Sequence, residues 1–240
     1  MQQQQGLIAI LDALGAANYS GEELAQFLKS RELVREQLND KAVRLGGRQL
    51  ANRVITFTFN DTILIVYQTE RPEKPVNLKD VQRFGELLRR FAVKSLAQGI
   101  FFRGAIAIGR FYVDRDTNTV MGEAVTDAAA WYNLADWIGI MATPHGRLLI
   151  QSLTEQGHGD IGRLMVDYPV PLKDGSVLSL KAVNWPKAFF VRGMTPCAAG
   201  EKQRAKCLSL LARHDVPRGT ESKYFNSVKF FDHCAELRKQ

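Results

Sequence analysis

Cysteine is scarce in this 240-residue sequence: Cys197, Cys207 and Cys234 are the only three, and no C-x-x-C pair occurs. A disulfide-stapled scaffold needs a denser, even set, so that class is excluded and a reducing compartment is the natural reading. Long apolar runs are missing too. The run over 7–11 is cut short by Asp12, and no basic segment precedes it. It is too short for a membrane span and lacks the charged opening of a signal peptide. The expectation is a soluble, cytoplasmic protein with no membrane partner. Histidine is sparse as well: His145, His158, His214 and His233 show no i,i+4 pairing and no cysteine at zinc-site spacing, which argues against zinc. The sequence contains no Gly-Lys-Ser/Thr phosphate loop, no internal repeat and no Gly/Ser/Pro-rich linker. Its one low-complexity stretch is the glutamine run over 2–5. Neither a Cys–His nor a Ser–His–Asp arrangement can be argued. Basic residues are scattered without interleaved aromatics, so nucleic acid ranks below nucleotide as a partner.

What is present is ordinary globular material. Hydrophobic residues make up 45% and charged residues 24%, enough for a substantial core at this length. The net charge of +7, with an isoelectric point near 9.4, points to polyanionic partners without choosing among them. The expected organisation is one domain over 1–240, with a core over about 6–185 and a helical extension over about 186–240.

The run over 7–11 predicts a buried central strand. Ser20, with Glu23 three residues on, has the spacing of a capping box opening a helix. Two β-branched and aromatic segments, 54–59 and 62–67, flank Asn60-Asp61, which predicts a tight hairpin. Helical spacing recurs over 78–96. A strand follows over 102–109, extended by 110–113 into a turn at 114–118. An alanine-rich helix is expected over 124–138, carrying Trp131 and Trp137. Further helices are expected over 147–156, 202–212 and 225–237, and strands over 164–167 and 177–183. The order β-α-β-β-α-β at the start is the ferredoxin-like plan, so the predicted class is α+β, a central antiparallel sheet flanked by helices.

Asp12 ends the first strand and Asp61 sits on the hairpin turn. In a ferredoxin-like sheet these two lie at the same end. Adjacent carboxylates repel unless a cation sits between them, so the pair is a natural site for Mg²⁺ or Mn²⁺, ions that arrive with substrate phosphates. The competing reading is that both are ordinary turn aspartates. The small residues after Asp12 (Ala13, Leu14, Gly15, Ala16, Ala17 and Asn18) lead to a helix N-terminus, where backbone N–H groups suit a triphosphate.

Four segments, LIAILDALG, TFTFNDTILIVY, FFRGAIAIGRFY and MGEAVTDAAAWYNLADWIGI, together resemble the class III nucleotidyl cyclase domain over about residues 6–185. The later segments MVDYPVPLKDG, AVNWP and KYFNSVKFFDH resemble more narrowly the bacterial Pycsar pyrimidine cyclases, which make cyclic UMP or cyclic CMP as an anti-phage signal. The resemblance implies that Asp12 and Asp61, with the Ala13 carbonyl, hold two Mn²⁺ or Mg²⁺ ions. It implies a head-to-tail homodimer with composite active sites, and a separate effector that responds to the cyclic product. Lys173 resembles the lysine that reaches the triphosphate, and the Gly15, Ala16 and Ala17 amides would cradle it.

Departures bear on the substrate. The two base-reading positions of purine cyclases fall on Phe57 and Thr119. An aromatic and a hydroxyl cannot reproduce a charged adenine contact, and a bulky Phe57 favours a one-ring base. The transition-state Asn and Arg of the family fall on Thr126 and Ala130. Arg103 and Arg110, on the neighbouring strand, are candidate substitute cations; for Arg103 a structural ion pair is the competing reading. The expected reaction converts UTP, or CTP, to the 3′,5′-cyclic monophosphate and pyrophosphate. Purine cyclisation and a catalytically silent nucleotide-binding module are the alternatives. Nothing in the sequence separates UTP from CTP or names the activator.

Overall fold

The computed structural model describes residues 3–15, 20–157, 161–191, 197–198, 200–213 and 215–239, with Glu23 described by its backbone alone. Ala16, Ala17, Asn18, His158 and His214 lie outside these residues.

The chain opens with strand β1 (Gln3–Ala13), followed by helix α1 (Gly21–Ala51), strands β2 (Val54–Phe59) and β3 (Thr62–Gln68), helix α2 (Leu78–Ala97) and strand β4 (Phe102–Asp114). Strand β1 lies between β3 and β4, with β2 outside β3, all antiparallel. This is the ferredoxin-like β-α-β-β-α-β arrangement. Beyond it come strand β5 (Thr119–Met121), helix α3 (Glu123–Trp131), strand β6 (Ile140–Ala142), helix α4 (Pro144–Gly157), and strands β7 (Met165–Pro171) and β8 (Val177–Val183). A 3-10 turn at Pro186–Phe189 leads to helices α5 (Gln203–Leu211) and α6 (Glu221–Leu237). The sheet order is β2-β3-β1-β4-β6-β8-β7, with β5 paired to β4. The sheet is antiparallel as expected, except at β4–β6, where the strands run parallel.

Alternation in β1 explains its central place. Leu7, Ala9, Leu11 and Ala13 face a core shared with α1, α2 and α4. Ile8 and Ile10 face the other side, with Ile55, Val66, Ala107, Phe111 and the α3 alanines Ala124 and Ala128. A strand buried on both faces reads as an unbroken apolar run. The second face is only half covered: α3 shields part of it, while Phe57 and Leu64 are partly buried and Phe59 is 77% exposed.

The third core joins β6–β8 to the C-terminal helices. Trp137 stacks on Tyr168 at 5.3 Å between ring centroids, and Phe230 of α6 meets both rings edge-on at 4.7 Å. Offset and T-shaped contacts of this kind contribute beyond their buried area. The extension over 186–239 thus builds a core with the sheet where it is described.

Two local expectations are corrected. The alanine-rich helix stops at Trp131, not at residue 138, and Trp137 lies beyond it. The chain turns there because the following residues are needed for the short strand β6, whose Ile140, Met141 and Ala142 are all buried. Ser20 makes no side-chain cap bond. The reciprocal capping box lies instead at α2, where the Asn77 side chain accepts from Asp80 N–H at 3.0 Å and the Asp80 side chain from Asn77 N–H at 3.3 Å. Among the described residues no helix is long and apolar enough to cross a membrane.

Candidate functional site

Asp12 is the penultimate residue of β1, paired across to Thr62 on β3 and Arg103 on β4. Strand alternation puts it on the half-covered face, with Ile8 and Ile10. Arg103 donates to Asp12 Oδ2 twice, from Nε at 3.0 Å and from Nη2 at 2.8 Å. Both side chains are mostly buried, so the pair is charge-assisted in a partly desolvated setting. Both bonds fall on one carboxylate oxygen. Oδ1 accepts no hydrogen bond among the described residues.

Asp61 is drawn to the same place by backbone. Its carbonyl accepts from Ala13 N–H at 3.0 Å, and it follows Asn60, whose positive φ of 50° makes the hairpin turn. Arg31 of α1 donates to the Asn60 carbonyl and braces that turn. The Asp61 side chain is half-buried and makes no ion pair or hydrogen bond among the described residues. The two aspartates predicted to share one end of the sheet therefore do so. Their donor set fits a hard divalent cation: two carboxylates with open oxygens, on a chain end where a backbone carbonyl is close. Among the described residues no three His, Cys, Asp or Glu side chains cluster, so such an ion would need substrate phosphates or water to complete its coordination.

Lys173, in the β7–β8 hairpin, belongs to the same neighbourhood. Its ammonium titrates below the ordinary lysine value, first through partial desolvation and then through repulsion from Arg103 and Lys223; Asp12 and Asp136 oppose the shift. The local peptide is held by Lys173 N–H donating to Leu134 O at 2.9 Å and Asp136 N–H to Pro171 O at 2.8 Å. Asn226 of α6 then donates to the Asp136 carbonyl at 2.8 Å. Through this path α6 brings Lys223 beside Lys173. The sequence reading missed Lys223, because only the docking of the C-terminal helix relates it to the sheet end. Arg103 thus pairs with Asp12, Lys173 feels the charges of both, and Lys223 stands beside Lys173.

Gly15 follows β1 with φ of +82°, and a side chain there would meet open space. This positive φ favours glycine and leaves the backbone accessible after Asp12. Ala16 and Ala17 lie outside the described residues. Phe57 is on the face that carries Asp12, level with Ile10 through Leu64, and is half-buried.

The remaining candidates lie elsewhere on this chain. Thr119 pairs with Asp114, eleven residues along β4 from Arg103, a separation of roughly 35 Å at strand rise. Arg110 is seven residues from Arg103, roughly 23 Å away. Its guanidinium bonds Glu123 at 3.0 and 3.1 Å, and those bonds hold the Glu123 carboxyl below its ordinary value. In this chain Arg110 makes an exposed ion pair that anchors the start of α3. Thr126 is one turn into α3, exposed, with its hydroxyl donating to the Gly122 carbonyl at 3.2 Å. Within one chain, Thr119, Arg110 and Thr126 do not join the aspartates. Another unanticipated pair, Thr143 Oγ1 donating to Asp127 at 2.6 Å, ties α3 to the start of α4.

No protein-family model matches the chain, and no curated protein matches it. A solved structure that it resembles is the catalytic core of a rhodopsin-guanylyl cyclase with converted specificity, in complex with ATPalphaS, at 15% identity and a TM-score of 0.45 over 76% of this chain and 96% of that one. A likeness of that degree assigns no residue role and no substrate to this chain.

Proposed function

We propose that the chain is a metal-dependent nucleotidyl cyclase acting on a pyrimidine nucleoside triphosphate, UTP ahead of CTP. The observation that supports this reading most is the meeting of Asp12 and Asp61 at one sheet end, with Arg103 paired to Asp12, Lys173 within reach of its charge and Lys223 next to Lys173. Carboxylates for hard cations and ammonium or guanidinium groups for phosphate oxygens are the two parts that phosphoryl transfer needs from a protein.

Asp12, Asp61 and the Ala13 carbonyl would hold Mg²⁺ or Mn²⁺, which when bound would lower the pKa of the ribose 3′-hydroxyl and neutralise phosphate charge. Arg103 fixes the Asp12 carboxylate through Oδ2 and leaves Oδ1 turned to other ligands. Lys173 and Lys223 give this sheet end a positive potential that favours a triphosphate. The net reaction joins the 3′-oxygen to the α-phosphorus and releases pyrophosphate. Phe57, half open on the same face, would lie against a one-ring base.

The distance of Thr119 and Thr126 from Asp12 supports a site made by two chains. In a head-to-tail homodimer the half-covered face of one protomer would meet the α3 side of its partner, and the symmetry would generate two equivalent sites. The cyclic product would then act on a separate effector in anti-phage signalling, as the resemblance to the Pycsar cyclases implies.

The test is incubation with ATP, GTP, CTP and UTP together in Mn²⁺, with chromatographic separation of products and an Asp61→Ala control. A cyclic pyrimidine nucleotide lost in the control is the expected result. A cyclic purine would overturn the Phe57 argument. A second reading, a silent nucleotide-binding module, is favoured by one observation: Asp12 is already paired with Arg103, while Thr126 and Ala130 offer neither amide nor cation. Nucleotide binding without turnover would establish it.

A further inference from the structure

Helices α1 and α2 pack against each other on one side of the sheet, and a groove of about 290 Å³ opens between them. Val34 and Leu38 of α1 and Phe91 of α2 line it from the core that they share with Leu7, Ala9 and Leu11 of β1. Strand alternation turns Asp12 to the opposite face of the sheet, with Ile8 and Ile10, so the groove is separate from the Asp12 end. Its volume stands at the lower edge of the range for small-ligand pockets, about 300–1,000 Å³, which suits a compact ion.

Its rim is basic. Lys41, Arg44, Arg90 and Lys94 line the groove against one carboxylate, Asp40. Glu86 of α2 answers two of these cations, and only in part. Lys41 Nζ is 3.8 Å from its Oε1, Arg90 Nε donates to that same oxygen at 3.0 Å, and Arg89 pairs with the other oxygen. One negative charge is thus divided among three cations. Arg90 engages it through Nε alone, which leaves its two terminal nitrogens as donors. Arg44, Lys94 and Asp40 are exposed and make no ion pair or hydrogen bond among the described residues. The cationic excess therefore rests on side chains with no acid of their own. Its repulsion is felt at Lys41. That ammonium titrates below the ordinary lysine value, first through partial desolvation and then through Arg90, with Arg44 and Arg89 adding to the shift and Glu86 opposing it. A multivalent anion would relieve this repulsion, and a concave surface of one sign concentrates ions of the other.

A second observation is independent of charge. Gln37, one helical turn before Lys41, also lines the groove, and its Oε1 is buried with no hydrogen-bond partner. A buried polar atom in that state is costly unless water or a ligand meets it. A half-turn of the amide about its last torsion exchanges the oxygen for the two-donor nitrogen, which an anion can accept from.

We propose that this groove is a binding site for a small, multiply charged phosphate of the size of a condensed inorganic phosphate. Its oxygens would bridge Lys41 on α1 and the terminal nitrogens of Arg90 on α2. Arg44 and Lys94 would close on it from the two helices, and the Gln37 amide would donate to one oxygen. Phosphate fits because it places several charges and several acceptors in a small volume, and a guanidinium group bonds its oxygens in pairs. The site stands whether or not the Asp12 end is catalytic.

The experiment is isothermal titration calorimetry of the whole chain, at low salt and with EDTA, against inorganic triphosphate, with citrate as a multivalent carboxylate for comparison. Chelation removes the divalent ions that the Asp12 end would need. The expected result is saturable binding of triphosphate, much tighter than that of citrate. Arg44→Gln/Lys94→Gln removes two exposed and unpaired cations, and affinity should fall about tenfold or more, the scale of losing charge-assisted bonds. Lys173→Gln/Lys223→Gln removes the same charge at the Asp12 end and should leave the affinity nearly unchanged. Gln37→Glu sets a carboxylate in the groove and should abolish binding; if it does not fold, the Arg44/Lys94 variant decides alone. Failure of triphosphate to bind overturns the proposal. Equal losses in the two double variants would reduce the effect to net charge and overturn it too. So would a loss confined to Lys173→Gln/Lys223→Gln, which would place binding at the sheet end already described. Citrate binding as tightly as triphosphate would overturn the assignment to phosphate.

Discussion

Asp12 carries two obligations at once, an ion pair on Oδ2 and an open Oδ1. Arg103→Ala would free the carboxylate to rotate while removing a cation from the phosphate side. If the proposed cyclisation is the chain's reaction, the expected outcome is a rate lowered by roughly two orders of magnitude with the melting curve little changed, checked by initial rates in Mn²⁺. Asp61→Ala should cost about three orders or more, because nothing else described on the hairpin can replace its oxygens. The thiols give a second residue-scale prediction. Burial raises the Cys207 thiol to about 12 and pushes Cys234 up further. Neither forms appreciable thiolate at neutral pH, and thiolate is the reacting species. A native titration with an aromatic disulfide reagent should therefore count one thiol, Cys197, and three after denaturation.

At the scale of elements, two devices place the site-bearing strands. The first is the capping box of α2, whose Asp80 also accepts from the Tyr67 hydroxyl at 3.1 Å. Asn77→Ala removes one half of the box and should destabilise by about 1 kcal/mol, read as a lower urea midpoint with unchanged slope. Tyr67 itself is pushed up from 10 to about 12, first by burial and then by the Asp80 charge. A phenol with a raised folded value contributes stability that is complete below pH 10 and is lost as pH rises toward 12. Alkaline unfolding followed by circular dichroism should begin in that window, and Tyr67→Phe should flatten it there. The second device is Gly122, the residue that turns β5 into α3. Its φ is +133°, and a Cβ there would stand 2.7 Å from Phe111 Cα and 2.8 Å from the Arg110 carbonyl. Gly122→Ala should cost about 1–3 kcal/mol in backbone strain and displace α3 from the sheet.

At the scale of the molecule, the proposed two-chain site depends on the half-covered face. Phe59 is exposed, and Phe57 and Leu64 lie beside it. An apolar patch of that kind marks an interaction surface. If this face mediates the proposed homodimer, Phe59→Glu should convert it to monomer in sedimentation and abolish the proposed turnover while leaving the fold intact. Mixing Asp61→Ala with Thr119→Arg offers a sharper check. If each site takes its aspartates from one chain and Thr119 from the other, random reassortment restores about a quarter of the wild-type activity, since half the dimers carry one intact site. No restoration would mean that each chain supplies its whole site.

How much of this was legible beforehand follows from the range over which each feature is determined. The run over 7–11, the Asn60-Asp61 turn and the order β-α-β-β-α-β are local or periodic, and the sequence by itself determined them, down to the two aspartates meeting at one sheet end. The register of β1 with β4 sets Arg103 against Asp12, and the sequence leaves that pairing open because a lone arginine on a strand carries no mark of its partner. The end of α3 at Trp131 escaped the helical periodicity, since burial of Ile140–Ala142 in the sheet, not local propensity, ends it. Lys223 was beyond reach for the same reason. It stands beside Lys173 only once α6 has packed through Phe230 onto Trp137 and Tyr168, and that packing joins residues roughly sixty to ninety positions apart. Alternation and turn chemistry act between neighbours in the chain, while the polarity of a site depends on neighbours in space, which only the tertiary structure decided.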